Sequence, residues 1–292
     1  MNAPAPSDLT VVVLTRDEEA NLPACLASVA GLWHRLFVVD SGSTDATVEL
    51  ARAAGAQVVR HAFETHAKQW HWALASLPLE ASWILALDAD QRVTPHLAAS
   101  LRDALAAPGT HRGFYVNRRQ VFRGRWIRYG GYYPMPLLKV FRRDAVSLDP
   151  AERVDHHFRV AGPVGHLQGD LVEDNANERK IGDWISKHNR YARLQAEEEL
   201  FLLGTGSEPG RFWGHRDERM RWLKARWRRL PLYVRPFLYF GYRYVIRLGF
   251  LDGKEGLVFH FMQGLWYRLL VDINRDELSR AARRRPTETP HG

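Results

Sequence analysis

The chain holds one cysteine, Cys25, in 292 residues. An internal disulfide is therefore impossible, and so is a zinc module built on several cysteines. Long apolar runs are missing as well. The longest uncharged apolar-rich stretch toward the C-terminus, residues 256–267, has 12 positions, short of the roughly 18 that a membrane-crossing helix needs. The first eight residues carry no basic residue and no apolar run, so no secretory signal is expected there. No G-x-G-x-x-G follows the first apolar run and no G-x-x-x-x-G-K-[ST] occurs, which argues against a dinucleotide-binding dehydrogenase and against a P-loop ATPase. Repeats and low-complexity tracts are absent before the tail. What remains is an ordinary globular composition, 46% hydrophobic and 25% charged, which excludes disorder for most of the chain.

The net charge of +8 is unevenly spread. Residues 209–292 contain 18 Lys+Arg against 8 Asp+Glu, and 15 of the 33 aromatic residues; residues 1–208 contain 23 basic against 25 acidic residues. This predicts two parts: a near-neutral, regular domain over 1–208, and a basic, aromatic, helical region over 209–292.

The first part alternates strands with helices. Leu9–Thr15 (LTVVVLT) is a β-branched apolar run of the kind buried on both faces of a parallel sheet. Leu22, Cys25, Leu26 and Val29 form one helical stripe. Residues 36–40 (LFVVD) read as a second strand and 46–54 as a helix capped by Ser43 or Thr44. Strand 57–60, helix 66–76 and strand 83–88 (WILALD) complete the pattern, which predicts βαβ units, an α/β class and a mostly parallel sheet.

In such sheets ligands bind outside the carboxyl ends of the strands. Two strands end there in aspartate, Asp40 and Asp88, and Asp90 follows. Three carboxylates at one sheet edge repel one another unless a ligand or a cation joins them, and Mg²⁺ or Mn²⁺ is commonly held by one or two carboxylates with substrate phosphates. Each residue alone has a plainer reading. An aspartate at a strand end often forms a turn or a cap, and Glu18-Glu19 are first-turn charges facing a helix dipole.

The segments VVVLTRDEEANL, VVDSGSTDAT, AKQWHWAL and WILALDAD, in that order over residues 9–90, resemble the successive nucleotide-sugar motifs of family 2 glycosyltransferases. The likeness continues more loosely through YYPMPLLKVFRR, ERVDHHF and WISKHNRYA to about Glu199, and GFLDGKEG is similar to a C-terminal segment of the same enzymes. It is nearest to bacterial lipopolysaccharide-core and exopolysaccharide glycosyltransferases. The resemblance implies a GT-A fold (the Rossmann-like fold of nucleotide-diphospho-sugar transferases), usually inverting chemistry, and Mg²⁺ or Mn²⁺ as cofactor. It sets Thr15 and Glu18 beside the nucleotide, Asp40 on the uracil ring and Lys68 near the nucleotide or its phosphates. Asp88 and Asp90 become the D-X-D pair, with Asp90 the direct metal contact and Asp88 shared between metal and nucleotide sugar. Lys68 also reads as a solvated helix residue.

An inverting transfer needs a base to deprotonate the acceptor hydroxyl. Relatives carry a glutamate where this chain has His156, in Val154-Asp155-His156-His157-Phe158. Asp155 acting directly, His156 oriented by Asp155, and Glu152 are the candidates there. Glu173 and Asp174, in an acidic segment where many relatives have a histidine, are further candidates for base or metal contact; the same segment also reads as a cap for a helix over 181–199.

Residues 112–143 are rich in arginine and aromatic rings, suited to phosphates and sugars or simply to packing. In the tail, Met220, Leu223, Trp227 and Leu230 form an apolar stripe among Arg221, Lys224, Arg226, Arg228 and Arg229. This basic amphipathic helix, and after it the aromatic stretch 236–267 with Arg235, Arg243, Arg247 and Arg268, suit an anionic bilayer surface or a core-packed subdomain. The expected partners are a nucleotide-diphospho-sugar donor, a glycan or lipid-linked acceptor and an anionic membrane at the cytoplasmic face. Nucleic-acid binding by the tail is the competing function, but it leaves the three aspartates idle, so no nucleic acid is expected.

Overall fold

The structure, a computed structural model, describes residues 8–150, 157–204, 213 and 216–284. Contacts divide the chain into two compact units, Met1–Asp183 and Trp184–Gly292.

In the first unit, β1 (Leu9–Thr15) is buried at every position. It is followed by α1 (Leu22–Ser28), β2 (Arg35–Asp40), α2 (Thr47–Ala53), β3 (Gln57–Arg60), α3 (His66–Ser76), β4 (Trp83–Asp88), β5 (Gln91–Val93) and α4 (Pro95–Ala106). Then come β6 (Gly113–Phe122), β7 (Arg125–Trp126), β8 (Pro136–Arg142), β9 (Val146–Ser147), β10 (Arg159–Val160) and β11 (Val164–Glu173). The main sheet runs β3-β2-β1-β4-β8-β6-β11-β5, with β7 paired to β6. Strands β3, β2, β1 and β4 are mutually parallel, as expected from the βαβ pattern. The far half is mixed: β8 enters antiparallel between β4 and β6, β11 is parallel to β6, and β5 is antiparallel to β11.

Side-chain alternation builds a core on each face of the sheet. Leu9, Val11 and Val13 of β1 join Leu22, Cys25, Leu26 and Val29 on one face. Val12 and Leu14 join Trp70, Ala73 and Leu77 of the α3 side on the other. Each fully buried Val or Leu contributes about 1.5–3 kcal/mol of transfer free energy, so β1 alone anchors both layers. Successive strands go outward from β1 to β2 and β3, and the chain then returns to place β4 on the other flank of β1. That reversal opens a crevice at the carboxyl ends of β1, β2 and β4.

The capping expectation for α2 fails. The residue before the helix is Ala46, which makes no side-chain cap. Asp45 accepts from Thr47 N instead, because Ser43 and Thr44 are drawn into the neighbouring β1–α1 loop.

The second unit is helical: α5 (Ile181–Gly204) leads into it, followed by α6 (Arg216–Arg229), α7 (Arg235–Gly241), α8 (Gly253–Phe259) and α9 (Tyr267–Arg284). Two π-helical segments, Tyr242–Ile246 and His260–Trp266, and a 3-10 turn at Gly249–Asp252 lie between these helices. Helix α5 continues past the expected end at 199. Its Ala192 and Ala196 pack on Tyr267 and Val271 of α9. Arg235, wholly buried, joins Asp272 (Nε to Oδ1, 2.7 Å) to Glu199 (2.7 Å), and Arg275 also reaches Glu199 at 3.1 Å. No helix among the described residues is long and apolar enough to cross a membrane.

Candidate active site

The parallel register sets Thr15 opposite Asp40, and Leu14 opposite Asp88, so three of the expected residues share one sheet edge. Asp40 is wholly buried. Its carboxylate accepts from Gly42 N (3.0 Å), Ser43 N (3.1 Å) and Ser43 Oγ (2.5 Å), and Thr15 Oγ1 lies 3.5 Å away. Gly42, with φ +87°, makes this tight turn possible. Asp40 thus organises the β2–α2 loop, the plainer of its two readings, and a base-edge contact would require one of its oxygens to release a loop donor.

That loop is fastened to the β1–α1 loop. Asp17 N donates to Ser43 Oγ (2.8 Å), Thr44 N donates to Asp17 Oδ1 (2.7 Å), and Glu18 N donates to Thr47 Oγ1 (2.7 Å). Lys68 is half-exposed and pairs with Glu64 of its own flank. The tie from α3 to the β2 end runs instead through buried Gln69, whose Nε2 donates to Ser41 Oγ (3.1 Å) and to the His61 carbonyl (3.2 Å). Sequence reasoning passed over Gln69; a glutamine on the apolar side of an amphipathic helix was the available signal.

Asp88 ends β4, partly exposed. Lys139, almost fully buried in the apolar strand β8, places Nζ 3.0 Å from Asp88 Oδ2. Gln91, also buried, accepts from Asp88 N (3.1 Å) through Oε1 and donates through Nε2 to Glu173 Oε2 (2.9 Å). Arg118 of β6 reaches Glu173 Oε1 at 3.1 Å. The carbonyl of half-buried Asp90 accepts from Asp174 N (3.1 Å), and Asp174 pairs with Arg92. The D-X-D turn and the end of β11 are therefore one hydrogen-bonded assembly. Beneath it, burial pushes the Cys25 thiol far up. Asp90, Asp88 and Glu18 push in the same direction, and Lys139 opposes them.

Asn175 caps a 3-10 turn at Ala176–Glu178, accepting from Asn177 N. Asn21 Nδ2 donates to Glu18 Oε2 (2.7 Å) and Asn175 Oδ1 (3.0 Å), while Asn21 Oδ1 accepts from Ala176 N (2.7 Å). Asn177 donates to the Asp17 carbonyl. The acidic segment is thereby clasped to the loop carrying Glu18. Further along β11, buried Asp170 accepts from Arg119 Nε (2.7 Å) and Tyr133 Oη (2.8 Å). Arg119 also lies over Trp126. Burial raises the Tyr133 phenol, and its bond to Asp170 adds to that. Glu152, Asp155 and His156 lie outside the described residues.

For Mg²⁺ or Mn²⁺ the donor chemistry fits: Asp88 and Asp90 are hard oxygen donors, both solvent-reachable, at the open end of a strand. No group of three His, Cys, Asp or Glu side chains among the described residues stands ready to ligate one ion; a cation held by one or two carboxylates plus phosphate oxygens needs no such triad.

With this geometry in view, comparisons with known proteins carry weight. The model of "Glycosyl transferase family 2" matches residues 10–155, half of the chain. The "Lipopolysaccharide core biosynthesis glycosyltransferase LpsC" of Rhizobium meliloti is 28% identical over 204 residues, which cover 66% of this chain and 72% of that protein. A TPR repeat-containing protein of Synechococcus elongatus is 33% identical over 105 residues, but the match spans only 26% of its length. Among solved structures, glucosyl-3-phosphoglycerate synthase from Mycobacterium tuberculosis, crystallised with Mn²⁺, UDP and glucosyl-3-phosphoglycerate, aligns with a TM-score of 0.37 at 21% identity, over 47% of this chain and 57% of that one. S. aureus TarS 1–349 aligns with a TM-score of 0.40 at 13% identity, over 97% and 93% of the two chains. The first unit has the GT-A fold, and the chain belongs to glycosyl transferase family 2.

Proposed function

We propose that this chain is an inverting, metal-dependent glycosyltransferase that moves one sugar from a UDP-linked donor to a glycan or lipid-linked acceptor. The acceptor would belong to cell-envelope lipopolysaccharide or exopolysaccharide synthesis, at the cytoplasmic face of a membrane. The observation that carries this reading is the meeting of Thr15, Asp40, Asp88 and the Asp90 turn at the switch-point edge of the sheet. The likeness to LpsC supports the acceptor class.

Asp90 and Asp88 would hold Mg²⁺ or Mn²⁺, which supplies charge stabilisation to a departing diphosphate. The chain's own groups do the rest. The fastened loops carrying Thr15, Glu18 and Asp40 form the floor for the nucleotide, and Lys139 holds the Asp88 carboxylate in one orientation. The Gln91 and Arg118 contacts aim the Glu173 carboxylate at the same edge, where it stands as a base candidate beside Asp155 and His156. Anionic lipid is the membrane partner, drawn by the basic excess of residues 209–292.

The test is a panel of nucleotide sugars with Mn²⁺, following UDP release and the anomeric configuration of the product. Asp90→Asn should remove most turnover while the fold persists. Near-normal turnover in that variant, or a product with retained configuration, defeats the mechanism. For the base, Asp155→Asn, His156→Ala and Glu173→Gln are compared; if all three keep full activity, none of them is the base.

A further inference from the structure

The basic amphipathic helix α6 carries charge that suits a membrane surface, and a second group of exposed apolar side chains lies further along the same unit. Helix α7 and the π-segment Tyr242–Ile246 run out, the chain turns at Leu248, and the 3-10 turn, α8 and the π-segment His260–Trp266 return. Helix α7 packs along the returning π-segment, and Phe240 lies edge-on to Phe261. This is a helical hairpin. At its tip Ile246 is 69% exposed and Val245 56%, with Leu248, Phe250, Leu251 and Leu257 exposed as well.

The turn itself forces these side chains outward. Leu248 takes a left-handed conformation, φ +59°. The inside of the turn is closed by glycine: a Cβ on Gly249 would lie 2.5 Å from His260 Nε2, and one on Gly256 would lie 2.4 Å from Asp252 Cβ. Asp252 and His260 are both buried behind the tip. The inner side of the turn is filled at these two glycines, and Val245, Ile246, Leu248 and Leu251 are exposed. Turn tips of water-facing proteins are polar, and a contiguous apolar tip marks a binding surface.

Charge decides between occupants. Among residues 231–261 the exposed or half-exposed charges are Arg243, Arg247, Lys254 and Glu255, since Arg235 and Asp252 are buried. Two copies meeting tip to tip would oppose like charges, whereas anionic headgroups complement them. The two arms, residues 235–246 and 253–266, are about 18–21 Å long at 1.5 Å per residue, less than the roughly 30 Å hydrocarbon thickness of a bilayer.

We infer that the hairpin centred on Ile246–Leu251 is a wedge that inserts into the headgroup and upper acyl region of an anionic bilayer, with Arg247 and Lys254 snorkelling to phosphates. The inference rests on the membrane reading of the tail and deepens it: α6 contributes salt-sensitive attraction, and the hairpin contributes salt-resistant insertion.

The full chain is tested by flotation with phosphatidylcholine vesicles with and without 30% phosphatidylglycerol, at 0.1 and 0.5 M NaCl. Unaltered protein should float with the anionic vesicles and stay bound in large part at the higher salt. The double variant Ile246→Asn, Leu251→Asn should lose about tenfold in partitioning with unchanged circular dichroism. Because Cys25 is buried, an Ile246→Cys chain can be labelled at that position with an environment-sensitive dye. Quenching by acyl-chain spin labels is expected. If the double variant floats normally while Lys224, Arg226, Arg228 and Arg229 changed to Gln abolish flotation, the wedge is wrong and the membrane reading stands. If no form of the protein binds vesicles, both fail. If the double variant instead dissolves a dimer seen by sedimentation, the tip is a self-association surface and the wedge is overturned.

Discussion

Lys139→Met is the sharpest probe of the candidate site. Lys139 Nζ lies 3.0 Å from Asp88 Oδ2, with side-chain exposures of 5% and 27%. At an effective dielectric of about 20 the gross attraction is about 5.5 kcal/mol, but desolvation offsets much of it, and the observable is the cost of removing one partner. For buried pairs that cost is about 3–5 kcal/mol, and since water reaches Asp88 the low end, about 3 kcal/mol, applies. For a unit of this size that is a fall in Tm of about 6–12 °C. Asp88→Asn should also destabilise, because it leaves the ammonium buried. The double variant should cost less than the sum of the singles, with a coupling of about 2 kcal/mol. Urea unfolding in EDTA, read by hydrogen exchange of peptides from β4 and β8, isolates this unit from the other. Calorimetric titration then tests the cation: freeing Asp88 from its internal counter-ion should tighten Mn²⁺ binding to Lys139→Met. Additive single-variant costs, or weaker Mn²⁺ binding, would refute the reasoning that Lys139 neutralises the D-X-D carboxylate.

Two further outcomes follow from the helical unit. Arg235→Met leaves Glu199 and Asp272 facing each other in the interior and should destabilise that unit by about 3–5 kcal/mol; amides of α5 and α9 should exchange faster while those of β1 and β4 stay protected, and unchanged exchange in α5 and α9 would show that the network holds nothing. Burial, with Arg243 adding to it, pushes the His260 imidazole from 6.5 down to about 4. Between those values the unfolded chain takes up a proton that the folded chain refuses, so stability should rise from pH 4 to about 6.5 and level off above. In His260→Gln this rise should be shallower, as measured by urea unfolding across that pH range; an unchanged slope would show that another group is responsible.

Much of the site was legible locally. Thr15, Asp40 and Asp88 close apolar strands, and the carboxyl ends of parallel strands lie together whatever the side chains, so their convergence followed from recognising three strands. The D-X-D turn comes with β4. For Lys68 helical position alone does not say which neighbour a long side chain finds, and in the structure it pairs with Glu64, one turn away. Asp40 had both a turn-forming and a motif reading, and its own loop supplies its hydrogen-bond donors. Lys139, Gln91, Arg118 and the Asn21–Asn175 clasp had no local signature, because each acts on a residue at least fifty positions away or across a strand whose neighbour was unknown.

The alternation of β-branched runs with amphipathic stripes, the aspartates at strand ends and the basic aromatic tail are properties of neighbouring residues, and local backbone preference and period suffice to read them. Which strand lies beside β4 is a different kind of fact. Antiparallel insertion of β8 depends on how distant apolar surfaces are buried together, and only that choice brings an ammonium to Asp88. Likewise the tail's composition gives its basic and aromatic character, but the close packing of Gly249 on His260 and of Gly256 on Asp252 is a steric condition that exists only once the hairpin has closed.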